Sequence, residues 1–118
     1  MSECIFCKII NKEIPADIVY EDDDLIAFKD INPKAPVHIL IVPKKHIPTF
    51  NDISDDDLSN GLYNKIVKAV QKIAKDFNVA DSGYRVLVNV NKEGGQVIYH
   101  LHVHLLGGKL FRFEEKGE

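Results

Sequence analysis

The sequence predicts a single α+β domain built around an antiparallel sheet. Five segments have the alternation or the continuous apolar content of strands, and two segments have helical spacing. In chain order they form a short helix, three strands, a long helix and two strands, so strands and helices do not alternate regularly. We therefore expect a five-stranded antiparallel sheet with one short and one long helix.

The composition is that of an ordinary globular chain. With 118 residues, 45% apolar and 28% charged, the chain can bury a core without disulfides. Its net charge of -3 argues against a nucleic-acid backbone as partner, because that needs a basic stripe, but it is compatible with a small nucleotide. No signal-peptide pattern is present, and the longest apolar run, Ile39–Val42, is too short to span a membrane. We expect one cytoplasmic domain over residues 1–118, with a charged tail at 109–118.

The first predicted helix covers residues 7–13 and ends before Pro15. It overlaps a Cys-x-x-Cys motif, Cys4 to Cys7, which is half of a zinc site or a redox pair. A redox pair of the thioredoxin type needs a preceding strand, for which there is no room. Zinc needs two more ligands, and His46 and His100 are the candidates for a tetrahedral set. Two cysteines without metal on an amphipathic helix are the alternative.

Three strands are predicted next, over residues 17–20, 24–29 and 38–42. The first two flank an acidic turn that we interpret as solvated surface. A loop punctuated by two prolines, Asp30–Pro36, leads to the third strand. Because the third strand is apolar almost throughout, we place it at the centre of the sheet.

A long helix is predicted from Ser54 to Phe77. Ser54 is a good N-cap, and three aspartates in the first turn suit the positive end of the helix dipole. The apolar stripe is widened by a second row at Tyr63, Val67 and Ala74. A stripe this broad favours a second contact surface, most simply another subunit, over a fully buried helix of a monomer.

Two strands are predicted to end the fold, over residues 84–90 and 97–106. The second carries His100, His102 and His104 in strict alternation with aliphatic residues. Alternation places the three imidazoles on one face of a strand, about 6.6–6.8 Å apart. A plain solvated surface is one interpretation. The others are a metal held by histidines, or one histidine acting as a nucleophile toward phosphorus while its neighbours stabilise charge.

The stretch His100-Leu101-His102-Val103-His104-Leu105-Leu106 resembles the signature of the histidine-triad (HIT) nucleotide-binding family, His-φ-His-φ-His-φ-φ. Gly107-Gly108, which follows it, resembles the Hint branch; the fragile-histidine-triad branch typically has Pro-Arg there. Segments that resemble the family run along nearly the whole chain: Phe6–Ile10, Ile14–Ala16, Ala27–Ile31, Pro43–Ile47 and Gly94–Gln96.

The resemblance implies a homodimer in which long helices and central strands form the interface of one ten-stranded sheet. It also implies hydrolysis of purine nucleoside 5′-phosphoramidates and related conjugates. His102 would attack phosphorus and form a covalent nucleotidyl-histidine, from which water releases AMP or GMP. A backbone carbonyl on the same strand would hold the proton on the other ring nitrogen of His102. His104 would contact the phosphate oxygens and His38 would support the site, with no cofactor needed for the chemistry.

The resemblance further implies the residues that bind the nucleotide. Asp30 would hold the ribose hydroxyls, Asn89 and the Gly95 N–H would donate to the phosphate, and apolar side chains would form a slot for the base. The full implied set is Ile5, Phe6, Ile9, Phe28, Asp30, Ile31, Asn89, Gly95, Gln96, Val97, His102 and His104.

Zinc-bearing prokaryotic members of the family place a structural zinc on a set that matches Cys4, Cys7, His46 and His100 here.

Two departures from the family pattern concern the leaving group. Val97 stands where Hint proteins commonly have Ser, and the tail lacks the Trp-Pro ending of eukaryotic Hint proteins. The alternatives for function are a dinucleoside polyphosphate hydrolase, a metal-dependent hydrolase that uses the triad, and a nucleotide-binding interaction module with little turnover.

Overall fold

The computed structural model describes residues 3–112 and confirms the predicted fold class. All strand pairs are antiparallel, and the order across the sheet is β1-β2-β3-β5-β4. Part of the predicted tail, residues 113–118, lies outside the described range. The elements are α1 (Ile5–Ile10), β1 (Ile18–Glu21), β2 (Leu25–Lys29), β3 (Val37–Pro43), α2 (Asp55–Ser59), α3 (Leu62–Asp76), β4 (Tyr84–Leu87) and β5 (Val103–Gly107).

The two faces of the sheet are covered by different helices. On one face Ile39 and Ile41 of β3 pack in a core with residues of α3, among them Ile73. On the other face Leu40 packs in a second core with Phe6 of α1. Successive strand residues point to opposite faces, so a strand covered on both sides is apolar at nearly every position, and His38 is the polar exception in β3. The central place predicted for β3 is confirmed, since it pairs with both β2 and β5.

The prediction of one helix from Ser54 to Phe77 is wrong, because the segment forms two helices. The N-cap predicted at Ser54 is present: Ser54 forms a capping box with Asp57 and starts α2, which ends at Ser59. Gly61 has a φ of 90°, in the left-handed region that glycine adopts without strain, and the chain changes direction there before α3 begins. A hydrogen bond of 2.6 Å from Lys45 to Asp57 ties α2 to the segment after β3.

The last two strands are shorter than predicted. The fourth, predicted over 84–90, pairs only at Tyr84–Leu87, and the fifth, predicted over 97–106, pairs only at Val103–Gly107. The ladder between β3 and β5 stops at Ile41 and Val103. Beyond that point the Leu101 N–H donates to the Ile47 carbonyl at 2.7 Å. His100 and His102 therefore lie before the regular strand.

An apolar groove of about 510 Å³ lies on the face of the sheet that carries α3. Val67 of α3 and Val103 of β5 line it, together with Tyr63 and Val86, which are 67% and 47% exposed. β4, which contributes Val86, is an edge strand of the sheet.

Within residues 3–112, no helix has the length and apolar content needed to cross a membrane.

Candidate active site

His102 lies just before β5, and a backbone hydrogen bond fixes its tautomer. Its Nδ1 is 2.8 Å from the carbonyl oxygen of His100. Because a carbonyl only accepts, Nδ1 carries the proton and the lone pair of the neutral ring is on Nε2. The Phe6 ring packs edge-on against the imidazole, with 5.1 Å between centroids. His102 is therefore oriented by two neighbours, and its lone pair is on Nε2.

His38 and His104 have their tautomers fixed by a chain of hydrogen bonds. The backbone N–H of Lys34 donates to Nδ1 of His38 at 3.0 Å, so the proton of a neutral His38 is on Nε2. That Nε2 is 3.0 Å from Nδ1 of His104, which must accept. The proton of His104 is then on Nε2, a buried atom that has no hydrogen-bond partner among residues 3–112. An acceptor such as a phosphoryl oxygen would satisfy this donor.

The ionisation of these residues agrees with the assigned tautomers. Burial lowers the pKa of His104 to about 4, and the neighbouring His102 and His38 act in the same direction. Burial also lowers the pKa of His38, although the nearby Asp30 carboxylate opposes that shift. Both rings are therefore neutral at pH 7, as the chain of hydrogen bonds requires.

Asp30, His38 and His104 also form a group whose ligand atoms lie within 4.8 Å of one another. The His38 Nε2 is 3.0 Å from the His104 Nδ1 and 3.5 Å from the Asp30 Oδ2. Since Lys34 already donates to Nδ1 of His38, the ring must keep a proton on Nε2, between the two acceptors. We therefore interpret this group as a hydrogen-bonded cluster in which His38 keeps a proton on Nε2.

Cys4, Cys7, His46 and His100 form a second group whose ligand atoms lie within 4.8 Å of one another. Sulfur-to-Nδ1 distances are 3.3 Å from Cys4 to His100, 3.6 Å from Cys7 to His100 and 3.2 Å from Cys7 to His46. In a tetrahedral zinc site with bonds of about 2.0–2.3 Å, ligand atoms are about 3.3–3.8 Å apart. The four side chains therefore fit a metal ion of this type.

The orientation of His100 provides a further test of that fit. The imidazole is fully buried, and its Nε2 donates to the Pro43 carbonyl at 2.7 Å, which leaves the Nδ1 lone pair toward the two sulfurs. Burial lowers the pKa of His100, which favours the neutral form that a metal requires. A histidine ligand whose other nitrogen donates to a carbonyl is the usual arrangement at metal sites.

The predicted nucleotide-binding residues fall into a buried and an exposed group. Phe6, Ile9 and Phe28 pack in the core under α1, and the Phe6 and Phe28 rings contact edge-on at 5.4 Å. Ile5 and Ile31 are on the surface, 46% and 89% exposed. The apolar pattern of the sequence did not indicate which of these side chains are buried and which are exposed.

The polar members of the predicted set have different surroundings. Asp30 accepts the Asn32 N–H on Oδ1 at 2.8 Å, which leaves Oδ2 near His38. The Gly95 N–H donates to the Lys92 carbonyl at 3.0 Å within a 3-10 turn. Val97 is 86% exposed, and Asn89 is half-buried.

Three residues with structural roles at the site were missed from the sequence. They are Lys34, through its backbone N–H, Pro43, through its carbonyl, and Pro48, whose carbonyl accepts from the Gln96 side chain. No residue type signals a main-chain donor or acceptor, so the sequence offered no indication of them.

The fold and this cluster of histidines define a class of small α+β proteins that carry a histidine triad. The chain belongs to the HIT domain family, whose model matches residues 11–110. This confirms the resemblance noted in the sequence, and the chain is a hydrolase of that family.

Curated relatives and solved structures agree with this assignment. The chain is 50% identical over 107 residues to the purine nucleoside phosphoramidase of Escherichia coli K12, covering 91% of this chain and 88% of the relative. It is 45% identical to protein HitA of Neisseria gonorrhoeae, covering 91% and 97%. A HIT family hydrolase from Legionella pneumophila superposes with a TM-score of 0.89 at 49% identity, covering 94% and 97%. A histidine triad protein from Clostridium difficile gives 0.91 at 46% identity, covering 98% of both chains.

We predict that His104 makes the fold less stable in weak acid. Its pKa of about 4 lies below the ordinary value of 6.5, so between these pH values the unfolded chain binds more protons than the folded one. Stability should fall as the pH falls through this window, with a contribution from His104 below the one-proton limit of about 1.4 kcal/mol per pH unit. His104→Asn should make the dependence shallower.

Urea unfolding midpoints between pH 7.5 and 4.5 measure this effect, with a chelator present so that metal release does not contribute. The groups that face His104 are His38, His102, Asp30 and Lys34, and they are unchanged in the variant. An identical pH dependence in the variant and the wild type would contradict the assignment.

Proposed function

We propose that this hydrolase cleaves purine nucleoside 5′-phosphoramidates and related nucleoside monophosphate conjugates, and releases AMP or GMP. The observation that carries the proposal is the hydrogen bond from His102 Nδ1 to the His100 carbonyl, which leaves Nε2 as a nucleophile. The unsatisfied Nε2–H of His104 lies on the adjacent ring, with 4.9 Å between the centroids. The name of the relative from Escherichia coli supports the substrate class.

The first chemical step forms a covalent intermediate. Nε2 of His102 attacks the α-phosphorus, an N–P bond forms, and the bond from phosphorus to the leaving amine breaks. The amine keeps the electron pair and takes a proton from solvent. The Nδ1–H of the new imidazolium stays on the His100 carbonyl, which stabilises the positive charge. The His104 Nε2–H donates to a phosphoryl oxygen as negative charge develops there.

The second step returns the enzyme to its starting state. Water attacks phosphorus, its oxygen forms the new bond, and the N–P bond breaks with the electron pair returning to His102. The water releases a proton and the nucleoside monophosphate leaves. His38 holds His104 in the required tautomer through both steps, because its own Nδ1 is occupied by the Lys34 N–H.

The nucleotide is assigned to the side of the sheet that carries α1. Phe6, Ile9 and Phe28 form the buried wall of the base slot, and the exposed Ile5 and Ile31 form its rim. The Oδ2 of Asp30 accepts from the ribose hydroxyls. Asn89 donates to the phosphate. The Gly95 N–H also donates to the phosphate, once its hydrogen bond to the Lys92 carbonyl has broken.

A structural zinc ion is assigned to Cys4, Cys7, His46 and His100 on the strength of the donor set and its spacing. When bound, the ion supplies a cross-link between α1 and the segment that carries His102. It takes no part in the hydrolysis, which needs no cofactor.

We further propose that the enzyme is a homodimer. The apolar groove beside α3 and β4 exposes Tyr63 and Val86, and a second copy of this surface would bury them. Because β4 is an edge strand, the two sheets can continue into one of ten strands. The location is proposed to be the cytoplasm, with no nucleic acid or membrane as partner.

We predict that His102→Ala abolishes hydrolysis and preserves nucleotide binding. Loss of the nucleophile should lower kcat for adenosine 5′-phosphoramidate by at least about a thousandfold, while the Kd for AMP changes by no more than a few-fold. Steady-state kinetics and calorimetric titration measure the two quantities. Turnover retained in the variant would contradict the proposal.

The same assays distinguish the alternatives. Faster turnover of a diadenosine polyphosphate than of the phosphoramidate would favour dinucleoside polyphosphate hydrolysis. AMP binding without turnover in the wild type would leave a binding module. Turnover that survives in His102→Ala and stops with a chelator would indicate a metal mechanism.

We predict that the wild type binds one zinc ion per chain and that Cys7→Ser lowers the zinc content and the thermal midpoint. Loss of one ligand should weaken metal binding and destabilise the fold, shifting Tm by roughly 5 °C or more. Elemental analysis and calorimetry measure these changes. Lys8→Ser, on the same helix and outside the ligand set, is the control and should retain zinc. A wild type that contains no zinc, and whose Tm is the same as that of Cys7→Ser, would contradict the assignment.

We predict that Val67→Glu dissociates the dimer, because it places a carboxylate in the apolar groove. Sedimentation velocity should give the wild type twice the 13.3 kDa mass of one chain and the variant the mass of one. Lys68→Glu, on the next residue of α3, has an exposed side chain and should remain dimeric. A monomeric wild type would refute the dimer.

A further inference from the structure

The segment that leads to the nucleophile is held without the β-ladder. Regular pairing in β5 begins at Val103, after His102. Three hydrogen bonds instead join the preceding residues to the end of β3 and to the segment that follows it. His100 Nε2 donates to Pro43 and the Leu101 N–H donates to Ile47, both at 2.7 Å. The third bond runs from Gln96 Nε2 to the Pro48 carbonyl at 2.8 Å.

Gln96 uses its side-chain amide to join three pieces of backbone. Its Oε1 accepts the Asn91 N–H at 2.9 Å. Its Nε2 donates to the carbonyls of Pro48 and Ile98 at 2.8 and 3.0 Å. The side chain is buried, since the residue is only 7% exposed. A buried polar group with all of these bonds is costly to replace by one that cannot make them.

This pattern of bonds requires a primary amide. Glutamine has an acceptor oxygen and two N–H donors on one group, whereas a carboxylate has acceptors only and a thioether has no N–H donor. A carboxylate at this position would face the carbonyl oxygens of Pro48 and Ile98. A protonated carboxyl would keep an acceptor and regain one donor.

We propose that Gln96 is a positioning residue for the nucleophile, a role that rests on the proposed hydrolase function. It anchors residues 97–99 at Ile98, while the Leu101 N–H anchors the other side of His100. Between these anchors lies the carbonyl of His100, the acceptor that holds the Nδ1 proton of His102. Gln96, which the family resemblance places among the nucleotide-binding residues, would in this role set the tautomer of His102 without contacting the nucleotide.

Two variants of the full-length protein test this role. Gln96→Met keeps the length of the side chain and removes all three hydrogen bonds, and Gln96→Glu keeps an acceptor and removes the donors. Ser54→Ala is the control, because it removes the cap of α2, away from the active site. Each variant is measured for Tm, for kcat and KM with adenosine 5′-phosphoramidate, and for the His102 tautomer by nitrogen-15 NMR, with the His102 signal assigned by its absence in His102→Ala.

Gln96→Met should lower kcat at least tenfold, leave KM within threefold, and increase the Nε2–H tautomer of His102. The kcat of Gln96→Glu relative to wild type should rise as the pH falls from 8 to 5.5, because protonation restores one donor. Ser54→Ala should lower Tm and leave both kcat and the tautomer unchanged.

Three results would overturn the proposal. A higher KM with unchanged kcat would show that Gln96 contacts the nucleotide. An unchanged His102 tautomer in Gln96→Met would show that the amide does not set it. A loss of kcat in Ser54→Ala that matches its loss of Tm would show a general stability effect. If the wild type does not hydrolyse the substrate, the proposed function fails, and the NMR measurement still decides whether Gln96 positions His102.

Discussion

The hydrogen bond between His102 Nδ1 and the His100 carbonyl is the interaction on which the rest of the site depends. It decides which nitrogen of His102 carries the lone pair, and therefore which nitrogen is available to act as a nucleophile. His100 contributes to two sites at once, because its carbonyl orients His102 while its side chain lies among the candidate metal ligands. A change at the Cys-x-x-Cys motif can consequently alter the orientation of His102 through one residue, His100.

The late start of β5, at Val103, explains why side chains have such large roles here. A ladder would fix the backbone at every second residue, but the residues before Val103 rely on His100, Leu101 and Gln96 for their attachment.

The polar groups at the site are arranged with little freedom. Burial keeps His38 and His104 neutral, and the Lys34 N–H then determines where each proton lies.

Local patterns predicted much of this molecule. Alternation and apolar content predicted the strands and the central place of β3. The Cys-x-x-Cys motif, together with the resemblance to the family, predicted the four side chains that the fold brings together. The break at Gly61 was missed because the apolar period continues across it. The late start of β5 was missed because a ladder depends on its partner strand, which no local pattern describes. Main-chain partners such as Lys34 and Pro43 left no signal in residue type.

The most direct test of the central claim is mass spectrometry of the protein quenched during turnover of adenosine 5′-phosphoramidate, with His102→Ala beside the wild type. The account predicts an AMP adduct on the wild type that maps to His102 and is missing from the variant. AMP release with no adduct at His102, or an adduct on another residue, would contradict it.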